Sequence, residues 1–391
     1  KFRNPKDVPS IAEMLSKKVL GLHLGTDGQV LYLNPKRIPI YDLPQIEDNE
    51  ELSHYMFEYH TRPYEISLGS IGVNDNSIVI NVNHMLADGG YFKFIINEIS
   101  KGNCSELKDY YPKSAETVFN KQIGEAKFDF YPTNSDMRLT NFITKDFDEL
   151  RKTKFAQYIY SNFPASSFKC YNEKTKAIHC LTESIFINFY ASVVAYNNES
   201  YKCGIGTCID LRKYSNSNTW NDNSVFTLIP IIPQVLPTDT YQEIGEKMRY
   251  DLNQGIKEGR HFSYLKALYE RRKGPDFEGS RLFLSNIGPV PFGGPLLDVY
   301  MGYSELSSAM PNILSITSSS YIGNNKNNIA FRLKYNSDKM STREADMISK
   351  STIWGMQNID FNLPLEKAIS ELQQFQRSYL KQKKGTIRQY L

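Results

Sequence analysis

The stretch VNHMLADGGYFKF, Val82 to Phe94, decides the reading of this chain. It closes SIVINVNH, in which Ile78, Ile80, Val82 and His84 recur at every second position, the period of a strand with one apolar face. The alternation predicts that His84 ends a strand on that apolar face. Beyond Gly89 and Gly90, the residues Tyr91, Phe92, Ile95, Ile96 and Ile99 fall at helical spacing. Asp88 stands at the junction. A general base needs an imidazole held at a fixed point and neutral near pH 7, and a strand end supplies such a point. Gly89 lets the chain turn tightly into the helix. The bland alternative is a satisfied core histidine beside a helix-capping aspartate, and an isolated H-x-x-x-D-G pattern leaves the two readings level. The strand before it and the helix after it are the setting that a catalytic loop requires.

Other segments extend the pattern. NIAFRLKYN puts Ile329, Phe331, Leu333 and Tyr335 on one face, with Arg332 and Lys334 on the other, which predicts a half-solvated strand. YKCGIGTCID and RLFLSNIG read as further strands. Gly204 and Gly206 share a face of the former, which suggests close approach by another backbone or a ligand. Leu181 to Tyr196 is mostly apolar and predicts a buried helix with Thr182 near its start. Ser341 and Glu344 stand at capping-box spacing. A tail helix presents Leu365, Ile369, Leu372, Phe375 and Tyr379 and ends in Lys381, Lys383 and Lys384. Packing on the body is its expected use; a peripheral membrane contact is the other. Connectors are expected from Lys101 to about Leu139 and from Arg272 to Gly279. Strands mixed with helices throughout argue for a mixed α/β or α+β fold.

Composition narrows the function. The chain has 391 residues with a formal net charge of +3, which excludes a dominant nucleic-acid footprint. No apolar run reaches the length of a transmembrane helix. Cys104, Cys170, Cys180, Cys203 and Cys208 lack metal-ligand or disulfide spacing, so zinc and a disulfide framework are not expected and a reducing cytoplasmic compartment is. No third ligand stands near His84 and Asp88, so no metal is assigned to them. There is no nucleophile elbow, Walker loop or G-x-G-x-x-G. His23, His54, His60, His179 and His261 have no supporting spacing.

HMLADGG resembles the H-x-x-x-D-G signature of the chloramphenicol-acetyltransferase-like superfamily. That superfamily includes peptide-synthetase condensation domains, plant and polyketide-associated acyltransferases and fungal alcohol O-acetyltransferases. TRPYEISLGSIGV, Thr61 to Val73, is similar to its P-F-D-L-x-x-G segment. Asp210, Leu211 and Arg212 match its D-L-R strand end, and Ser285, Asn286 and Gly288 match its S-N-x-G strand. The resemblance spans about Pro63 to Met356. It implies a fold of two chloramphenicol-acetyltransferase-like subdomains, residues 1–140 and 141–391, each a mixed sheet flanked by helices, with a tunnel at their interface. It implies that His84 is the base and that Asp88 is structural and pairs with an arginine, for which Arg212 is the candidate. Asp210 is a second partner or a turn residue. Ser285 and Asn286 carry groups able to donate to an oxyanion; a strand-end turn with Gly288 is the alternative.

Two departures shape the expectation. Many relatives carry a second histidine where this chain has Asn83, and the plant D-F-G-W-G motif is missing. The likeness is therefore nearest to the fungal alcohol and amine acetyltransferase group. The implied reaction moves an acetyl group from acetyl-CoA, a co-substrate and not a resident cofactor, to a hydroxyl or amine of a hydrophobic acceptor, with no acyl-enzyme. A monomer is expected. The alternatives are a condensation-type enzyme using a carrier-protein thioester, and a binding protein that keeps the fold without turnover.

Overall fold

A computed structural model describes residues 1–34, 38–102, 111–112, 114–127, 138–198, 202–215, 220–221, 225–270, 278–306 and 313–387, the last six of these by backbone alone. Cys104, much of the first expected connector, most of the second and the side chains of Lys383 and Lys384 lie outside the described residues. The helices are α1 (Asp7–Lys18), α2 (Asn49–His60), α3 (Gly89–Lys101), α4 (Ala115–Val118), α5 (Asn120–Glu125), α6 (Leu181–Asn197), α7 (Arg212–Ser215), α8 (Tyr241–Lys257), α9 (Arg260–Tyr269), α10 (Thr342–Asn358) and α11 (Leu365–Ile387). The strands in the first part are β1 (Leu24–Thr26), β2 (Leu31–Leu33), β3 (Ile40–Asp42), β4 (Gly69–Val73) and β5 (Ile78–Val82). Those that follow are β6 (Asn141–Phe142), β7 (Gln157–Pro164), β8 (Tyr171–Asn172), β9 (Ala177–Ile178), β10 (Ile205–Asp210), β11 (Phe226–Ile231), β12 (Ser280–Pro291), β13 (Ile313–Gly323) and β14 (Lys326–Tyr335).

The fold is mixed α/β. A small sheet of order β3-β4-β5 pairs β3 parallel and β5 antiparallel to β4. Its alternation works as a strand's should: Ile71, Ile78, Ile80 and Val82 join the apolar cluster of α1 and α3, whereas Val79 joins Leu52 and Met56 of α2 on the opposite face. The large mixed sheet has the order β11-β10-β12-β13-β14-β7, and β6 adds beside β12. Its register sorts the side chains into two faces. Leu284, Ile316, Leu333 and Ile159 align across neighbouring strands under α6, α8, α10 and α11. Phe283, Ser315, Lys334 and Tyr158 align on the other face, as do Ser285, Thr317, Arg332 and Tyr160. That second face looks toward the first part of the chain.

Helix α6 is buried along nearly its whole length, as its mostly apolar sequence demands. The capping box of Ser341 and Glu344 starts α10. Helix α11 packs on the body through Leu365, Ile369 and Leu372. Among the described residues no helix is long and apolar enough to cross a membrane. One expectation changes. Arg332 and Lys334 are 6% and 8% exposed, so β14 is not half-solvated. The sequence periodicity finds the two faces but not the covering, which here comes from α2 and the tyrosines of β7 and the 298–306 segment. Gly204 makes room for the backbone at Arg138 and Leu139, and Gly206 for the ring of Phe283, so neither glycine needs a ligand to explain it.

Candidate functional site

The chain leaves β5 at Val82, two residues earlier than the alternation predicts. Asn83 makes the turn. Its N–H donates to the carbonyl of Leu68 (2.7 Å), its own carbonyl accepts from Leu86 N–H (2.8 Å), and its side-chain Oδ1 accepts from Met85 N–H (2.9 Å). This local bonding, available to asparagine, outcompetes a longer ladder. His84 therefore sits in the turn, off the strand's apolar face, and its ring is exposed at the seam between the two sheets instead of being enclosed.

The seam still fixes the ring. His84 Nδ1 lies 2.8 Å from the carbonyl oxygen of Ala87. A carbonyl only accepts, so Nδ1 is the donor in this contact, and Nε2 is the ring nitrogen left for chemistry. The imidazole stacks on Phe226 of β11 at 5.4 Å and 18° and tilts against Tyr303 at 6.4 Å. Both aromatic residues come from the far half of the chain.

Asp88 caps α3, with Oδ1 accepting from Tyr91 N–H at 2.8 Å. The same oxygen accepts from Arg212 Nη2 at 2.8 Å, and Oδ2 accepts from Val225 N–H at 3.0 Å. Arg212 also donates through its backbone N–H (2.9 Å) and Nη1 (3.1 Å) to Asp210 Oδ1. Asp88 and Arg212 are 5% and 8% exposed. Burial disfavours the guanidinium charge, but Asp88 and Asp210 outweigh it and raise the Arg212 pKa. Such a pair adds little net stability, yet removing one partner strands the other's charge and costs about 3–5 kcal/mol. The clamp joins the loop after His84 to the ends of β10 and β11.

Gly90 belongs to this clamp. A Cβ there would lie 2.4 Å from Arg212 Nη1 and 2.9 Å from Asp210 Oδ2. Gly89 faces Ile287, whose side chain would lie 2.9 Å from a Cβ at that position. Ile287 is thrown out by a bulge in β12, where the register with β13 shifts between Asn286 and Gly288. Gly288, at φ +77°, sits in the left-handed region that the bulge needs.

The S-N-x-G residues part company here. Asn286 bonds Thr182 of α6 (2.9 Å), Gly288 N–H (2.9 Å) and Ser318 (3.0 Å), so its side chain is committed to holding the bulge against the helical layer. Ser285 has the opposite parity and shares the seam-side row of Thr317 and Arg332, beside the Cys208 thiol. Burial pushes that thiol up to about 11.

A second polar group lies beside the first. Lys334 Nζ is 2.6 Å from Glu305 Oε2 and 4.8 Å from the centre of the Tyr303 ring. The Arg332 guanidinium stacks over Tyr158 at 4.0 Å, and Tyr158 meets Tyr303 edge-on at 5.8 Å. Farther along the seam, a polar cavity of about 230 Å³ is lined by residues that include Glu50, Tyr160, Asp298 and Tyr300. No residue of the His84–Asp88 loop lines it, so it is not where this loop's chemistry happens.

Sequence reasoning missed Gly90, Phe226, Tyr303 and the Val225 N–H. The doubled glycine after Asp88 was a signal for the first. The others come from distant segments with no pattern of their own.

No family model matches the chain, and no curated protein matches it in sequence. Solved structures do match. The first condensation domain of the CDA synthetase is 13% identical, with a TM-score of 0.61 over 94% of this chain and 91% of that one. A mutant starter condensation domain of rhizomide synthetase, in complex with C8-CoA and Leu-SNAC, is 11% identical, with a TM-score of 0.59 over 92% and 87%. The epimerization domain from the third module of tyrocidine synthetase B is 10% identical, with a TM-score of 0.57 over 94% and 89%. At these identities the likeness is one of fold, and the fold is that of condensation domains.

Proposed function

We propose that this protein is an acyltransferase in which His84 is the general base for direct transfer from a thioester to a hydroxyl or amine. The observation that carries the reading is the imidazole itself: Nδ1 is fixed on Ala87, which leaves Nε2 as the nitrogen for the reaction, and the ring is exposed between Phe226 and Tyr303. Nε2 takes the proton from the acceptor O–H or N–H while that atom attacks the thioester carbonyl. The carbonyl oxygen gains the electron pair. When it returns, the C–S bond breaks and the same imidazolium protonates the leaving thiolate. Base assistance of this kind contributes about 10²–10⁴-fold. Asp88, Arg212 and Asp210 are positioning residues that hold the loop, and Asn286 with Gly288 shapes the bulge behind it. Ser285 faces the seam.

The donor in this reading is acetyl-CoA or another short acyl-CoA, and the acceptor is a hydrophobic alcohol or amine. The units are residues 1–140 and 141–391, a division supported by β6, which enters the large sheet at Asn141. The second reading, a carrier-protein thioester as donor, is favoured by the condensation-domain likeness. Mass spectrometry of an alcohol and amine extract incubated with acetyl-CoA, or with an acyl carrier, separates the two. His84→Ala should lose product formation by about 10²–10⁴-fold while remaining folded. A folded, fully active His84→Ala protein eliminates both readings.

A further inference from the structure

Tyr303 is the polar side chain that the far half of the chain presents to His84, and the reaction as written leaves it without a task. The surroundings of its ring are unusual. Lys334 is 8% exposed, yet its ammonium lies over the Tyr303 ring, 4.8 Å from its centre, and bonds Glu305 at 2.6 Å. Burial opposes the ammonium charge, but Tyr303 and Glu305 outweigh it and raise the pKa, so Lys334 is a cation at neutral pH. Arg332, also buried, stands 6.0 Å from the same ring. Packing alone does not call for this. Apolar residues of similar volume would fill the space without the cost of desolvating two cations. A fixed ammonium beside a phenol draws electron density from it, and the phenol's O–H becomes a stronger donor to a third group.

The reaction has a matching need. The carbonyl oxygen becomes an oxyanion, and a preorganised donor in a partly dry site is worth far more there than in water. Asn286 spends its side chain on Thr182, Ser318 and Gly288. Tyr303 is the polar residue whose ring is in contact with the base.

We propose that Tyr303 is a further catalytic residue, whose hydroxyl donates to the thioester carbonyl oxygen as it gains the electron pair, with Lys334 and Glu305 as its positioning residues. This rests on the acyl-transfer reading. The oxygen's negative charge is held at Tyr303 while the acceptor's proton resides on His84. Both are released when the C–S bond breaks, and Tyr303 keeps its proton throughout.

The test uses the full chain with acetyl-CoA and acetyl-N-acetylcysteamine as donors and 1-octanol and octylamine as acceptor probes. Tyr303→Phe keeps the ring and removes only the hydroxyl. It should lower kcat about 10²–10³-fold. The melting temperature should not change, and KM for the donor should stay within about two-fold. A trifluoromethyl-ketone analogue of acetyl-CoA, which hydrates to mimic the tetrahedral intermediate, should lose about 10²-fold in affinity for the variant while acetyl-CoA binding does not change. A purely structural tyrosine would not split the two ligands. Lys334→Met should show the same split, weaker. If wild-type protein turns over, His84→Ala does not, and Tyr303→Phe retains kcat within about three-fold, the inference fails and acyl transfer stands. If wild-type protein neither turns over nor binds either donor, both fail together.

Discussion

Replacing Asp88 by asparagine is the sharpest probe of how the loop is held. The side chain keeps its shape, and one oxygen still accepts from Tyr91. That oxygen also keeps Arg212 Nη2, but the new amide faces Val225 N–H, donor against donor, where Asp88 Oδ2 accepts at 3.0 Å. The Coulomb partner of Arg212 is also lost, leaving Asp210, which is more exposed. A hydrogen bond to a charged group contributes about 1.5–3 kcal/mol, which sets the expected cost for asparagine at about 2–3 kcal/mol. Alanine also removes the cap and should cost about 3–5 kcal/mol. For 391 residues the unfolding entropy is roughly 0.8 kcal/mol per kelvin, so the alanine variant should melt about 4–6 °C lower. Adding Arg212→Met to Asp88→Ala should cost less than Arg212→Met alone, with a coupling of about 1–3 kcal/mol. Thermal and urea unfolding supply the measurement. Lys350→Ala, which breaks the surface pair with Asp346, is the control and should cost under about 0.5 kcal/mol. Asp88→Asn indistinguishable from that control refutes the clamp.

Gly90→Ala should destabilise by about 1–3 kcal/mol and reduce activity, because its methyl meets a guanidinium already locked by two carboxylates. Gly288→Ala meets open space and should cost only the backbone strain of φ +77°, about 1–2 kcal/mol; urea midpoints rank the two. Burial, and then Lys213, hold His261 at about 4, well below the ordinary histidine value of 6.5. The unfolded chain takes this proton near pH 6.5 and the folded one does not, so the stability is intact above 6.5 and falls as pH drops toward 4. The loss is on the order of 3 kcal/mol, and His261→Leu should flatten that part of the stability–pH curve.

The loop from His84 to Asp88 was readable because its parts are local. An alternating strand, an aspartate at a helix start and a doubled glycine each leave a mark within a few residues. The pairing of Asp88 with Arg212 was reached through the resemblance and not through spacing, since 124 residues separate them. The end of β5 was misplaced because Asn83 bonds its own turn, a competition that periodicity does not register. The burial of Arg332 and Lys334 was illegible for another reason. Alternation says which side chains share a face, and only the tertiary covering by α2, Tyr158 and Tyr303 says whether that face is wet. Phe226 and Tyr303 reach His84 from distant segments, and no short-range pattern marks them.

The base and its surroundings ride on different bodies. His84 is carried by the small sheet, whereas Phe226 belongs to the large sheet and Tyr303 to the segment lying over it. Any parting of the two sheets, even by a few ångströms, withdraws the stacking ring and the phenol from the imidazole in one movement. Reactivity is thereby tied to closure: a gaping molecule still holds its histidine but has lost the walls that aim it.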